Sequence, residues 1–322
     1  MPPTHQEKPR LLFMGTPDFA VPTLRHLAAR QFPLAAVVTR PDKPKGRGYA
    51  ETPSAVKLAA QAAGLDVWQP ESVNTPEFLE RLKQAAVEIV VVAAFGQILK
   101  NEFLATPPLG CVNLHASLLP KYRGAAPVQW AIARGETQTG ITVQKMAERV
   151  DSGDVLVQRT LAIGPDETEP SLLARLADLG GDAVEEALLL LQASQGRIGS
   201  PQDESLATFA PRLTREDGKL DWTLEGSEIN NRVRGFFPWP GTYALIRGER
   251  IKIITTTHSL EVAPAGSLPG TVLRSQEGDG WLVAAGQGTT VWVRRLQGAN
   301  GKVMTAHAYT CGYKFGVNDR LE

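Results

Sequence analysis

Short apolar runs alternate with longer amphipathic stretches over residues 1–194, and this alternation restricts the possible folds more than any other feature. Strands alternating with helices are typical of an α/β domain with a mostly parallel sheet. The run 88–94 (EIVVVAA) is almost continuously apolar, which predicts a central strand covered on both faces. The predicted strands are 10–14, 34–39, 88–94, 111–116, 140–146 and 154–162. The predicted helices are 18–30, where Asp18 is placed to cap the first turn, 54–64, 75–86, 127–134 and 169–194.

A second pattern follows residue 207. Residues 195–207 carry Gly, Pro, Ser and charge without an apolar period, which is typical of a linker. Short strands separated by glycine-rich turns then predict a small antiparallel barrel, and we expect an OB-like one. The expected domains are therefore 1–194, a linker at 195–207, and 208–322. Beyond the linker, a helix is predicted at 225–233 and strands at 242–247, 250–256, 270–274, 281–285 and 290–295.

Composition excludes several classes of protein. The 34 basic and 34 acidic side chains cancel, which argues against a strongly basic nucleic-acid binder, although residues 207–322 hold 14 basic and 11 acidic side chains. No apolar run approaches the roughly 18 residues of a membrane helix, and the N-terminus has no secretory apolar segment. Only Cys111 and Cys311 are present, neither in a metal-binding spacing. We expect a cytoplasmic protein that does not interact with membranes.

The turn after the first strand, GTPDFA, has one glycine where a dinucleotide-binding fingerprint has three. A nicotinamide cofactor is therefore not expected.

Two polar residues share one face of the predicted strand 111–116, because alternate side chains of a strand point the same way. Asn113 can donate hydrogen bonds, and His115 can donate or exchange a proton near neutral pH. At the carboxyl end of a parallel strand, where ligands bind, such a pair suits a carbonyl that becomes an oxyanion. The alternative is a structural histidine whose hydrogen bonds are all made within a polar core.

Asp151 lies in the segment VDSGD between two predicted strands. A tight turn alone would explain Asp, Ser and Gly there. In a functional role, Asp151 would orient His115 and stabilise its protonated form.

The loop 40–49 (RPDKPKGRGY) is basic and contains two prolines. Lys43, Lys45 and Arg47 form a cluster that would attract a phosphate backbone. A solvated surface loop is the alternative.

Together, these segments resemble the folate-dependent formyltransferases, in particular the family that acts on methionyl-tRNA. The segments NLHASLLP, RGAAP and DSG, at 113–120, 123–127 and 151–153, carry most of the resemblance. FMGTPDFA, RPDKPKGRG, VVAAFGQIL and FPWPGTY match the family in the same order, so the similarity runs from about residue 10 to 320. Family members often have Asn where this chain has Phe237 in the last of these segments.

The resemblance implies a Rossmann-like formyltransferase domain and transfer of a formyl group from the cosubstrate 10-formyltetrahydrofolate to methionyl initiator tRNA, without a metal. It implies a catalytic trio of Asn113, His115 and Asp151. It further implies a folate-binding loop, Ser117, Leu118, Leu119 and Pro120, and tRNA contacts by Lys43, Lys45 and Arg47. We expect a monomer. Formylation of glycinamide ribonucleotide or of a nucleotide-linked amino sugar is an alternative activity, and a non-catalytic RNA-binding protein is an alternative of another class.

Overall fold

The computed structural model describes residues 8–45, 50–299 and 301–322. These form two compact units. The first comprises residues up to Gly124, Gly140–Leu161 and Leu173–Phe209, and the second comprises Ala125–Thr139, Ala162–Leu172 and Ala210–Glu322.

The strands are β1 Leu11–Gly15, β2 Leu34–Val38, β3 Lys43–Lys45, β4 Ala50–Thr52, β5 Val67–Trp68, β6 Ile89–Ala93, β7 Cys111–His115, β8 Gln138–Lys145, β9 Val155–Ala162, β10 Thr242–Ile246, β11 Glu249–His258, β12 Val272–Gln276, β13 Gly280–Ala284, β14 Thr290–Gln297 and β15 Met304–Thr305. The α-helices are α1 Val21–Ala29, α2 Ala55–Ala62, α3 Pro76–Gln84, α4 Asn101–Leu104, α5 Pro127–Ala133, α6 Glu169–Ala193, α7 Gly226–Gly235 and α8 Ala306–Tyr313.

The first sheet has seven strands in the order β5-β2-β1-β6-β7-β8-β9. Neighbours from β5 to β7 are parallel, and β8 is antiparallel to β7. Every residue of β6 is buried, as the apolar run predicted, because a strand in the middle of such a sheet is covered on both faces. The chain leaves β1 toward β2 on one side, whereas β6 and β7 lie on the other. The carboxyl edge around this change of direction is where such sheets bind ligands.

Most predicted elements are present within a few residues, but the expected helix 18–30 differs at its start. Asp18–Ala20 form a short 3-10 helix, and α1 begins only at Val21. No side-chain hydrogen bond caps either helix, so the prediction that Asp18 caps the helix is wrong. Pro22 in the first turn of α1 removes one backbone N–H that would need a cap.

The second sheet is antiparallel, in the order β10-β11-β14-β13-β12, with β15 beside β14. Its core includes Ile251, Trp281 and Val293 and takes in Ile229 of α7 and Tyr309 of α8. Among the described residues β10 and β12 do not pair, so the sheet is not closed and the expected OB-like barrel is not confirmed. A barrel requires its first and last strands to pair, and short strands in a sequence do not reveal whether they do.

The segment 195–207, expected to be a linker, is tied to the first unit. Ser200 and Val155 exchange two backbone hydrogen bonds of 2.9 Å each. Just beyond the segment, the carbonyl of Thr208 accepts from the N–H of Arg123 at 2.9 Å. The division into 1–194, 195–207 and 208–322 stays a prediction. In the part of the chain that the structure describes, every helix is too short or too polar to cross a bilayer.

Candidate active site

Asn113 and His115 lie on β7, where the register pairs them with Gln144 and Thr142 of β8. Being two residues apart, they share a face of the sheet, as predicted. The Nδ2 atom of Asn113 lies 3.4 Å from Oδ1 of Asp151, and the Nδ1 atom of His115 lies 3.6 Å from Oδ2 of the same carboxylate. The three side chains that the sequence singled out are therefore brought together.

The carboxylate of Asp151 is held by hydrogen bonds to both of its oxygens. Oδ1 accepts from Nε2 of Gln144 at 2.9 Å, and Oδ2 accepts from the backbone N–H of Gly124, also at 2.9 Å. The side chain of Asp151 is 9% exposed and that of His115 is 6% exposed, so little water screens the attraction between them.

The orientation of His115 follows from what its two ring nitrogens face. Nε2 lies 2.9 Å from the carbonyl oxygen of Tyr122, which can only accept a hydrogen bond, and Nδ1 faces the carboxylate of Asp151. Both ring nitrogens of His115 therefore face oxygen atoms that accept hydrogen bonds. Asn113 is half-buried, and its amide has a second N–H to offer to a bound group.

Sequence reasoning did not single out Gln144 and Gly124. Gln144 is buried and faces Asn113 across the pair of strands. The antiparallel pairing of β8 with β7 could not be predicted from the apolar pattern, and this pairing brings Gln144 to the site. Gly124 lies in the matched motif RGAAP, which was the only available signal for it.

The loop expected to bind folate is hydrogen-bonded to Thr142 of β8. The Thr142 hydroxyl donates to the carbonyl of Ser117 at 2.7 Å and accepts from the N–H of Leu119 at 3.1 Å. Ser117 and Leu119 are buried, whereas Leu118 and Pro120 are half-buried. Of the four residues, only Leu118 and Pro120 present side-chain surface, and folate binding by this loop stays a prediction.

The basic loop forms a short hairpin in which β3, containing Lys43 and Lys45, pairs with β4. Arg47 lies outside the described residues. Asp42 anchors the start of the hairpin by accepting hydrogen bonds from Lys57 and from Nε2 of Gln69. The hydrogen bond from Lys57 lowers the pKa of Asp42.

A buried thiol and a cluster of one histidine and two carboxylates lie outside the predicted catalytic trio, and neither has the arrangement of a reactive or metal-binding site. Cys111, at the start of β7, is buried, and burial raises the pKa of its thiol to about 12, so it remains a protonated packing group. His26, Asp182 and Glu185 could form a metal-binding group by residue type. Asp182 and Glu185, however, face different nitrogens of His26, at 3.6 and 2.6 Å. Glu185 is also paired with Arg30 at 3.1 Å, an arrangement typical of an ion-pair cluster.

The fold and the family matches together identify an α/β protein of the formyl transferase class. Residues 9–188 match the family "Formyl transferase", and residues 212–314 match "Formyl transferase, C-terminal domain". A methionyl-tRNA formyltransferase of Geobacter sulfurreducens is 44% identical over 97% of this chain and 96% of its own. That of Moorella thermoacetica is 46% identical over 94% of this chain and 96% of its own. The chain belongs to the methionyl-tRNA formyltransferase family.

Among solved structures, a sugar 3N-formyl transferase crystallised with dTDP and 5-N-formyl-THF has a TM-score of 0.65 to this chain at 18% identity. The alignment covers 92% of this chain and 99% of that one. At this identity the likeness concerns the fold alone.

Proposed function

We propose that this protein transfers the formyl group of 10-formyltetrahydrofolate to the α-amino group of methionine on initiator tRNA. The observation that carries the proposal is the meeting of Asn113, His115 and Asp151 at the carboxyl end of β7, in a chain that belongs to the methionyl-tRNA formyltransferase family. The alternatives, formylation of glycinamide ribonucleotide or of an amino sugar and non-catalytic RNA binding, are not favoured, because the full-length relatives carry the methionyl-tRNA name.

The residues divide the chemistry among them. The neutral amine attacks the formyl carbon, a C–N bond forms, and the carbonyl oxygen becomes an oxyanion. The free N–H of Asn113 and the charge on protonated His115 stabilise that oxygen. Asp151 holds His115 protonated and in position. When the bond between the formyl carbon and N10 of folate breaks, the proton lost by the amine passes to N10, through water and the His115–Asp151 pair.

Folate binding is proposed at the same edge of the sheet. A pteridine ring needs apolar surface, and the half-buried Leu118 and Pro120 offer it beside β7. Ile98, in the loop that follows the parallel neighbour strand β6, is 76% exposed and is a further apolar side chain on a loop at this edge of the sheet. Hydrogen bonds to Thr142 hold the backbone of Ser117 and Leu119, so that the loop would offer the ring an ordered binding surface.

A cleft of about 480 Å³ in the second unit supports tRNA binding there. It is lined by Arg215 and by Arg250 and Lys252 of β11, and none of these three is paired with a carboxylate among the residues that the structure describes. Trp239 at its edge is 53% exposed. Cations attract phosphates, and an exposed indole can stack on a base. We propose that this cleft and the basic residues Lys43, Lys45 and Arg47 share tRNA recognition.

Three finer points belong to the proposal. Residues 208–322 are proposed to be a tRNA-binding domain with OB-like topology, following a linker at 195–207. The reaction is proposed to need no metal. The enzyme is proposed to be a monomer in the cytoplasm, where charged initiator tRNA is available, without contact with membranes.

A formylation assay tests the proposal directly. The purified protein is incubated with 10-formyltetrahydrofolate and one acceptor at a time: methionyl initiator tRNA, methionyl elongator tRNA, glycinamide ribonucleotide or a dTDP-linked amino sugar. We expect rapid formation of N-formylmethionyl-tRNA with the initiator alone. Faster formylation of either small acceptor, or none of any acceptor, would refute the proposal.

A further inference from the structure

Gln202, in the segment between the two sequence-matched regions, reaches the turn that contains Asp151. Its Nε2 atom donates to the backbone carbonyls of Asp151 at 2.9 Å and Gly153 at 2.7 Å. The same atom lies 3.2 Å from Oε1 of Gln144. On the other side, Oε1 of Gln202 accepts from Nε and Nη2 of Arg123, at 3.1 and 2.8 Å. One side chain thus bridges the turn, the buried Gln144 and a buried arginine.

The direction of both glutamine amides follows from their partners. A guanidinium can only donate and a backbone carbonyl can only accept, so Oε1 of Gln202 faces Arg123 and its NH₂ faces the turn. The amide oxygen of Gln144 therefore faces the NH₂ of Gln202. Its own NH₂ is left to donate to Oδ1 of Asp151 at 2.9 Å. Gln202 therefore contacts Asp151 in two ways. It binds the backbone carbonyl of Asp151 directly, and it orients Gln144, which binds the carboxylate.

Asp151 occupies a backbone conformation that has to be held. Its φ of 52° lies in the left-handed region, which costs a residue with a side chain roughly 1 kcal/mol or more. The surrounding structure must supply that energy if the carboxylate is to stay opposite His115. The two carbonyls bound by Gln202 belong to this turn.

The side-chain oxygen of Gln202 is held by Arg123, which is in turn held by Glu204. Arg123 is 2% exposed, and its guanidinium also binds Glu204 through Nη1 and Nη2, at 3.1 and 2.8 Å. Hydrogen bonds from Arg123 and Arg149 lower the pKa of Glu204 to about 2. The guanidinium that binds Gln202 is therefore itself bound by a charged side chain at neutral pH.

We infer that Gln202 is a positioning residue for catalysis, which holds the Asp151 turn and orients Gln144 so that the carboxylate faces His115. Gln202 touches none of the reacting atoms in this arrangement. The inference rests on the proposed roles of His115 and Asp151. A displacement of about 1 Å at a reacting group can lower a rate by about 100-fold, so loss of this support lowers kcat by about 10- to 100-fold.

Gln202→Glu is the sharpest test. The carboxylate has the same shape and keeps an acceptor toward Arg123, but it presents an acceptor to three oxygen atoms that are themselves acceptors. Gln195→Glu is the matched control, because Gln195 is exposed and its side-chain oxygen binds Arg197 rather than the turn. Both variants are measured with Asp151→Asn and the double variant. The readouts are steady-state formylation rates across both substrate concentrations, with thermal unfolding as a check of folding.

We expect Gln202→Glu to lower kcat by about 10- to 100-fold while both KM values stay within about threefold of the parent, and Gln195→Glu to behave as the parent. Because Gln202 acts through Asp151, adding Gln202→Glu to Asp151→Asn should cause little further loss. A folded Gln202→Glu with kcat within about twofold of the parent, or losses that multiply in the double variant, would overturn the inference. If Gln202→Glu does not fold, Gln202→Ala is judged by the same criteria. If Asp151→Asn alone keeps full turnover, the proposed role of Asp151 fails, and the inference fails with it.

Discussion

Replacing Asp151 by Asn separates the charge of this side chain from its shape. Both carboxylate oxygens accept from N–H donors: Oδ1 from Gln144 at 2.9 Å and from Asn113 at 3.4 Å, and Oδ2 from the backbone of Gly124 at 2.9 Å. An amide must turn its NH₂ toward one of these donor sets, which breaks at least one bond. The variant also loses the charge that lies 3.6 Å from Nδ1 of His115.

The magnitude follows from Coulomb's law. At an effective dielectric constant of about 20, unit charges 3.6 Å apart attract by about 4 to 5 kcal/mol. If this attraction supports His115 in the transition state and is lost, the rate falls by about a thousandfold, since each 1.36 kcal/mol is worth tenfold. KM for folate and for tRNA should change little, because the interaction matters most when the oxyanion forms.

The assay is the initial rate of formylation of methionyl initiator tRNA across both substrate concentrations. Asp154→Asn, the same change in the same turn, is the control and should keep parental kcat. A folded Asp151→Asn with kcat within about tenfold of the parent would show that the carboxylate charge does not support the reaction as argued.

Three further outcomes are expected. Arg250→Ala should raise KM for methionyl-tRNA and reduce the salt dependence of binding by about one unit of log-log slope, and an unchanged slope in a salt series would remove the cleft from tRNA binding. Gly153→Ala should lower the free energy of unfolding by about 1 to 3 kcal/mol in denaturant titrations, because its Cβ would lie 1.9 Å from the carbonyl oxygen of Lys145; parental stability would refute the close approach. Burial raises the pKa of Glu169 from 4.5 to about 7, so ionising it opposes folding and the free energy of unfolding falls as pH rises through that window. Glu169→Gln, which keeps a polar group facing Gln129, should lose this decline and gain about 1 to 3 kcal/mol at pH 8; parallel pH profiles would contradict it.

Local patterns predicted the elements that a short stretch of chain can specify. The apolar run 88–94 became the fully buried β6, and Ser54 caps α2 by accepting from the N–H of Lys57 at 3.0 Å, where a helix was expected. Elements with weak patterns were missed, such as the two-residue β5 and α8 at Ala306–Tyr313. Asp18 was misassigned as a cap because a 3-10 turn and a proline can begin a helix without one.

For the candidate site, the sequence by itself determined which residue types stand at the end of β7 and, through the matched motifs, which aspartate to place beside them. Asn113 and His115 share a face because strands alternate, which is a local property. Only the tertiary structure decided that Gln144 and Gln202 complete the surroundings of Asp151 and that the second sheet stays open between β10 and β12. The physical reason is that these contacts join residues far apart in the chain or depend on which strands pair. A hydrophobic period indicates a helix or a strand, but it carries no information about long-range contacts or strand pairing.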